Sequence, residues 1–404
     1  MSRRPRVNVR RAEVMDLVQA EVERHYSSAL IDRIAASDGE LTIARTTVRL
    51  ARQFGFCYGV ERAIDLSYAS RRVFPDSRIH LIGEIIHNPE VNRQLAEMGV
   101  APLPWQSLDA HYEDLGPDDV VLVPAFGAPT EFMDKLDARG CSIVDTTCGD
   151  VMKVWRRVRQ NARDGATSII HGKAGHEETR ATASRALGDN GKGHYLIVFS
   201  LEDVSYLCEC IRTEQCDKKK FLSRFPENSH SPGFDPNIHL RSVGVANQTT
   251  MLKSETEEIQ RRIRHAIAER DGDDGNFRMF DTICGATQER QDALFDMLRT
   301  SLDLLVVVGG YNSSNTSHLV EIGADHLPTF FIRNASCLRS LEEIHHFDLA
   351  RREEIEDDGD AILAREGPLT VGITAGASCP ANLIEGAILK IFELRGVPRD
   401  KVIG

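Results

Sequence analysis

The sequence predicts an α/β protein of several modules, built from parallel strands with crossover helices, and three observations carry that prediction. Several segments repeat one order: a short β-branched run, a Gly-rich or polar turn, then apolar residues at helical spacing. The runs are continuously apolar, as in strands buried on both faces. A unit of strand, cysteine and helix recurs three times, at Cys57, Cys148 and Cys284.

The 404 residues suffice for two or three domains. Residues 1–46 read as an appended helical arm, since "AEVMDLVQAEVERHYSSALIDRIA" carries apolar residues at steps of three and four. A first α/β domain is expected over 47–147. There Val48 and Leu50 lead into a Gly-flanked turn, Val60, Ile64 and Tyr68 share a helical face, and "VVLVPAFGAPTEFMDKL" repeats the pattern. A second domain, 148–283, contains "ATSIIHGKAGHEET" and a polar stretch, 209–237, that reads as a surface insertion or long loop. The third, 284–404, contains "LDLLVVVGGYNSSNTSHLVEI" and "LTVGITAGASCPANLIEGAI"; its acidic "REEIEDDGDAILAREG" reads as a solvated helix leading into the next strand.

Acidic residues (61) outnumber Lys plus Arg (49), a net charge of −12 that argues against nucleic acid or an anionic membrane as partner. No apolar run approaches the roughly 18 residues of a membrane span, and "MSRRPRVNVRRAEV" lacks the apolar core of a secretory signal. The expected location is cytoplasmic. Nine scattered cysteines fit reduced thiols better than a disulfide framework.

"VDTTCGDVMKV" and "FDTICGATQER" put Cys148 and Cys284 in the same turn, with the Thr pair of the first able to cap a helix marked by Val151, Val154, Trp155 and Val158, and Asp281 and Thr282 repeating the turn in the second. A thiol between a strand's C-terminal end and a helix N-terminus meets unpaired N–H groups and a positive dipole end, which favour thiolate. Any one of these cysteines could equally be packing, but three in one setting point to ligation. Converging thiolates select zinc or an iron–sulfur cluster. Three sulfurs on a four-iron cluster leave one iron open, a Lewis acid that also delivers electrons. The other six cysteines lack this setting, and Cys208, Cys210 and Cys216 make only a weak case for a small zinc site.

Donors for an anion gather at other strand ends. Ser313, Ser314 and Asn315 follow "VVVGGYN" where a helix begins, a position that holds phosphate. Ser378 lies in the tight "TAGASCP" turn, where Pro380 suits a first helical position. His87 and His176 also stand at strand ends, so a diphosphate is the expected ligand. Glu178 could supply protons nearby, and Thr249 a hydroxyl. No G-x-x-x-x-G-K-[ST] and no G-x-G-x-x-G after a strand occurs, so nucleotide binding of those kinds has no support.

The stretches "FGFCYGVERAI", "EIIHNPEVN", "PAFGA", "VDTTC", "KVW", "HEETRATAS", "GVANQTTMLKSETEEI", "FDTICGATQERQ", "NSSNTSHL" and "TAGAS" together resemble the 4-hydroxy-3-methylbut-2-enyl diphosphate reductase (IspH/LytB) family, in wording most similar to its longer plant and cyanobacterial branch. The resemblance covers nearly the whole chain from Ala12. It implies three α/β domains in pseudo-threefold arrangement around a central [4Fe–4S] cluster held by Cys57, Cys148 and Cys284. It also implies that His87, His176, Ser313, Ser314, Asn315 and Ser378 grip the diphosphate, that Glu178 relays protons, and that Thr249 orients the allylic hydroxyl. The implied reaction is reductive dehydroxylation to isopentenyl or dimethylallyl diphosphate, with ferredoxin or flavodoxin as electron donor. Two departures stand out: Phe126 where many members carry a histidine, and Gly149 where many carry proline. A quinolinate synthase-like three-cysteine enzyme, a non-catalytic iron–sulfur sensor or electron carrier, and a structural zinc protein are the rival readings.

Overall fold

The structure is a computed structural model describing residues 7–105, 108–280, 282–357 and 362–404. One compact unit holds Asp76–Gly83 and Ala101–Cys284, with the segment ending at Val7. It contains two four-stranded sheets. The first runs Val100–Leu103, Ile79–Ile82, Val120–Val123, Ser142–Asp145, the last three parallel. The second runs Phe277–Met279, Val243–Asn247, Thr167–His171, Tyr195–Val198, parallel throughout. Val120–Val123, Thr167–His171 and Val243–Asn247 are buried at every residue, as their unbroken apolar runs require.

The other unit comprises Asn8–Pro75, Glu84–Val100 and Gly285–Gly404. Its sheet runs Glu40–Ile43, Thr46–Leu50, Leu369–Ala375, Leu304–Val308, Thr329–Ile332, parallel except for the antiparallel edge pair Glu40–Ile43 with Thr46–Leu50. Val48, Leu50, Val306, Val371 and Ile373 pack there with Ile388 and Phe392 of the Ala381–Leu394 helix. Three sheets covered by helices make this the α/β protein that the sequence predicts.

Several elements differ from expectation. The arm is helical over Ala12–Tyr26 and Ala29–Ala36, but Glu40–Ile43 is a strand. Thr46–Leu50, expected to open the first domain, pairs in parallel with Leu369–Ala375 near the other end of the chain. The 209–237 stretch is not a loop: it holds the end of helix Leu201–Thr213, helix Lys218–Arg224, capped by Asp217, and the start of Pro236–His239, capped by Asp235. Phe221, Phe225 and Phe234, dispersed among charges in sequence, are buried together. Cys210 and Cys216 are joined by a disulfide, the exception to the expectation of reduced thiols, which leaves no cysteine trio for zinc there. The acidic segment after Arg352 is a strand, Glu353–Asp357, hairpinned onto Ile344–Asp348; residues 358–361 lie outside the described residues. The Asp348 carboxylate accepts from the N–H groups of Ala350 and Arg351, and this local turn outweighs the helix-like charge pattern.

Candidate active site

The three cysteine turns share one backbone geometry. Cys57 follows the Thr46–Leu50 strand, and its N–H donates to Ala377 O at 3.2 Å, in the loop after the parallel neighbour Leu369–Ala375. Cys148 follows Ser142–Asp145 and donates to Ala125 O at 2.8 Å, after the parallel neighbour Val120–Val123. Cys284 follows Phe277–Met279 and donates to Thr249 O at 3.2 Å, after the parallel neighbour Val243–Asn247. Each cysteine then meets a helix N-terminus: Cys57 and Cys148 are the N-cap residues of Tyr58–Val73 and Gly149–Arg163, and Cys284 directly precedes Gly285–Leu298.

The threonines expected to cap serve the strand ends instead. Thr146 Oγ1 donates to Val123 O at 2.6 Å, Thr147 Oγ1 donates to the Asp145 carboxylate at 2.5 Å, and Thr282 Oγ1 donates to Asn247 Oδ1. Asp281 lies outside the described residues. Val151, Val154, Trp155 and Val158 form the buried face of the helix after Cys148, as expected.

Cys57, Cys148 and Cys284 are not in a disulfide and are only partly buried. Cys141, Cys208, Cys337 and Cys379 are free but buried, and burial pushes the thiols of Cys141 and Cys379 up and that of Cys208 up to about 11. Partly exposed cysteines at helix N-termini fit a soft thiolate-bound centre, whereas buried thiols that resist ionisation do not. The Lys153 ammonium, its pKa raised first by its bond to Asp150, is raised further by Cys148 and Cys284, so both sulfurs lie within electrostatic reach of one side chain.

The unit that contains Cys148 and Cys284 also holds Glu178 and Thr249, the pair expected to handle protons and the hydroxyl. Glu178 is 3% exposed, at the start of helix Glu177–Ala186. Its Oε1 accepts from Thr249 N at 2.6 Å and its Oε2 from Thr249 Oγ1 at 3.0 Å. Thr249 therefore holds the Cys284 turn by its carbonyl and Glu178 by its amide and hydroxyl. His176 caps that helix, its Nδ1 accepting from Glu178 N at 3.1 Å, which puts the proton of a neutral ring on Nε2. Phe126 meets the His176 ring edge-on at 6.2 Å and supplies an aromatic wall instead of a donor.

The other unit holds the residues expected to donate to an anion, apart from His176. Ser313 is the N-cap of helix Ser314–Ala324, its hydroxyl accepting from Thr316 N. Ser314 Oγ and Asn315 Nδ2 are buried without a hydrogen-bond partner among the described residues. Orphaned buried donors are costly, about 1–3 kcal/mol each, and at a helix N-terminus they fit an anion. Asn315 Oδ1 accepts from Ala377 N at 2.9 Å, and Ser378 Oγ donates to His87 O at 3.1 Å, so the "NSSN", "TAGAS" and "IIHN" corners share one network with the Cys57 turn. Pro380, expected at a first helical position, is the N-cap instead.

Three supporting residues escaped the sequence reading. Glu84 Oε2 accepts from Asn312 Nδ2 at 2.7 Å and lies 3.1 Å from His87 Nδ1; an ionised carboxylate only accepts, so the proton of that contact sits on Nδ1. Its signal was an acid three residues before His87. Gln248 Oε1 accepts from Lys173 N and Thr179 Oγ1, tying "HGKAG" to "NQTT". Arg290 is a charged residue on the buried stripe Thr287, Arg290, Gln291, Leu294, an oddity visible in sequence.

Comparison with known proteins adds the following. The family described as LytB protein matches residues 48–392. A protein of Thermosynechococcus vestitus named 4-hydroxy-3-methylbut-2-enyl diphosphate reductase is 44% identical over 384 residues, covering 94% of this chain and 92% of its own. One of the same name from Gloeothece citriformis is 43% identical over 387 residues, covering 95% and 92%. A solved structure of (E)-4-hydroxy-3-methyl-but-2-enyl diphosphate reductase, described as the terminal enzyme of the non-mevalonate pathway, superposes with a TM-score of 0.53 at 26% identity, over 87% of this chain and 100% of that one. The corresponding reductase from Plasmodium falciparum shares the fold, with a TM-score of 0.61 at 21% identity, over 84% of this chain and 86% of that one.

Proposed function

Because the chain belongs to the LytB protein family, we propose that it reduces 4-hydroxy-3-methylbut-2-enyl diphosphate to isopentenyl and dimethylallyl diphosphate, as an iron–sulfur oxidoreductase in isoprenoid biosynthesis. The observation that carries this reading is the triple turn: each cysteine amide is bonded to a loop bearing, or adjoining, a residue assigned to the substrate or its wall, Ser378, Phe126 or Thr249.

We assign Cys57, Cys148 and Cys284 as the ligands of one [4Fe–4S] cluster, in a pseudo-threefold arrangement of α/β domains. When bound, a cluster held by three thiolates supplies a Lewis-acidic iron and a route for electrons. The chain supplies the rest. Ser313, Ser314, Asn315, Ser378, His87 and His176 grip the diphosphate, with the helix N-terminus matching its charge. Loss of the allylic hydroxyl as water consumes two electrons and two protons, one leaving with oxygen and one reaching carbon. Hydroxide is a poor leaving group, so an acid is required. Glu178 accepts from Thr249 Oγ1 at 3.0 Å; once protonated it reverses that bond, giving its proton to Thr249 Oγ1 while the hydroxyl's own proton moves on to the substrate oxygen. One-electron carriers suit the reduction: ferredoxin is the proposed donor and flavodoxin the second choice. We take the compartment to be cytoplasmic, where thiols assigned to metal binding stay reduced.

Anaerobic turnover of the hydroxylated diphosphate with a chemical reductant tests the reading. Cys148→Ser is expected to lose activity together with iron, and Glu178→Gln to keep its iron while turnover falls about 10²–10⁴-fold. Wild-type turnover in either variant contradicts the assignment.

A further inference from the structure

We propose that Arg290 is a positioning residue for Cys57, locking the peptide bond that aims its sulfur. The proposal rests on Cys57 being a cluster ligand. Arg290 lies on helix Gly285–Leu298 and is 3% exposed. Nη1 donates to Ala286 O of its own helix at 2.8 Å, which fixes the fork. Nη2 donates to Gly55 O at 2.6 Å and to Phe56 O at 3.2 Å, two consecutive carbonyls just ahead of Cys57.

Regular pairing of the Thr46–Leu50 strand ends before this point, and Gly55 turns the chain at φ +71°, a conformation that costs a side-chain-bearing residue more. The carbonyls beyond it have no ladder to satisfy them, and Arg290 takes that place. The Phe56–Cys57 peptide is then pinned at both ends: its C=O by Arg290, and its N–H by Ala377 O at 3.2 Å. With that plane fixed, Cys57 holds φ −98° and ψ 163° at the helix start, and the direction of Cα–Cβ follows. The arm adds a buttress, as the Tyr26 ring meets Phe56 edge-on at 5.6 Å.

A buried guanidinium costs desolvation, and a purely apolar contact would pack the helix at lower cost. Burial raises the pKa of Glu61, one turn into the helix that Cys57 caps, Asp65 raises it further, and Arg290 opposes both, so Glu61 lies within electrostatic reach of the guanidinium. Only a planar fork reaches its own helix and two successive carbonyls together. Lysine, whose three donors radiate from one nitrogen, cannot.

The test uses Arg290→Lys and Arg290→Gln in anaerobically prepared holoprotein and in apoprotein. Supporting ligand contacts are typically worth 10–100-fold in metal affinity, so chelator-driven iron loss should quicken about tenfold or more in both variants, with an altered electron paramagnetic resonance signature. In apoprotein, Cys57 should be alkylated several-fold faster while Cys148 stays at the wild-type rate. Unchanged iron loss, or an equal rise at Cys57 and Cys148, overturns the proposal. Should Arg290→Gln fail to fold, the lysine variant decides. Cys57→Ser separates the two layers: if it keeps wild-type iron, the ligand reading itself falls. If it loses iron while the Arg290 variants behave as wild type, the positioning role alone falls.

Discussion

Burying a carboxylate costs several kcal/mol unless it is hydrogen-bonded, and Glu178 recovers part of that through both polar groups of Thr249. A site built for stability alone would use an apolar pair there, and the proton transfer proposed for Glu178 accounts for a buried carboxylate in its place. Glu84 acts through another residue, holding the Nδ1 proton of His87. Glu84→Gln should therefore raise KM about tenfold, the worth of one charge-assisted hydrogen bond, with kcat little changed; steady-state kinetics check this, and a fall in kcat at constant KM would refute it. The candidate residues could be picked out in sequence because Ser, His and Asn recur at several strand ends before helix starts, where a single one is more often only a cap. Glu84, Gln248 and Arg290 could not, since each acts through a neighbour that only the fold supplies.

At the level of elements, the apolar runs and the cysteine turns could be read directly, because buried parallel strands leave an unbroken signature. Two segments misled for opposite reasons. In 209–237, Phe221, Phe225 and Phe234 are diluted by charges yet meet in three dimensions, and after Arg352 a local Asp348 turn converts an apparently solvated helix into a hairpin. The refolded 209–237 region also carries a pH response. His194 and His239 stack at 3.6 Å, and burial lowers the pKa of both, with the pair's mutual repulsion adding at His239. His239 Nδ1 accepts from Asp235 N at 2.9 Å, a bond that protonation would break. The unfolded chain then binds more protons between the lowered pKa values and about 6.5, so this stability is present above about 6.5 and lost as pH falls through that window. Thermal melts of apoprotein from pH 7.5 to 5 should show it, and His194→Gln should flatten the slope; an unchanged slope would dismiss the pair as its source.

For the whole molecule, the α/β class and the three cysteine turns followed from local pattern, but sheet membership did not. Thr46–Leu50 pairs with Leu369–Ala375, and no short-range signal specifies a partner so remote in sequence. That pairing nonetheless makes the Cys57 turn equivalent to the other two, since each amide then finds a carbonyl beyond its parallel neighbour. The account stands on those three turns serving one inorganic centre. Iron and acid-labile sulfide, measured per chain in anaerobically isolated protein and in the single variants Cys57→Ser, Cys148→Ser, Cys284→Ser and Cys337→Ser, test this most directly. The account predicts about four of each in wild type and in Cys337→Ser, and a collapse in the other three. Full retention of iron by any one of those three would contradict it.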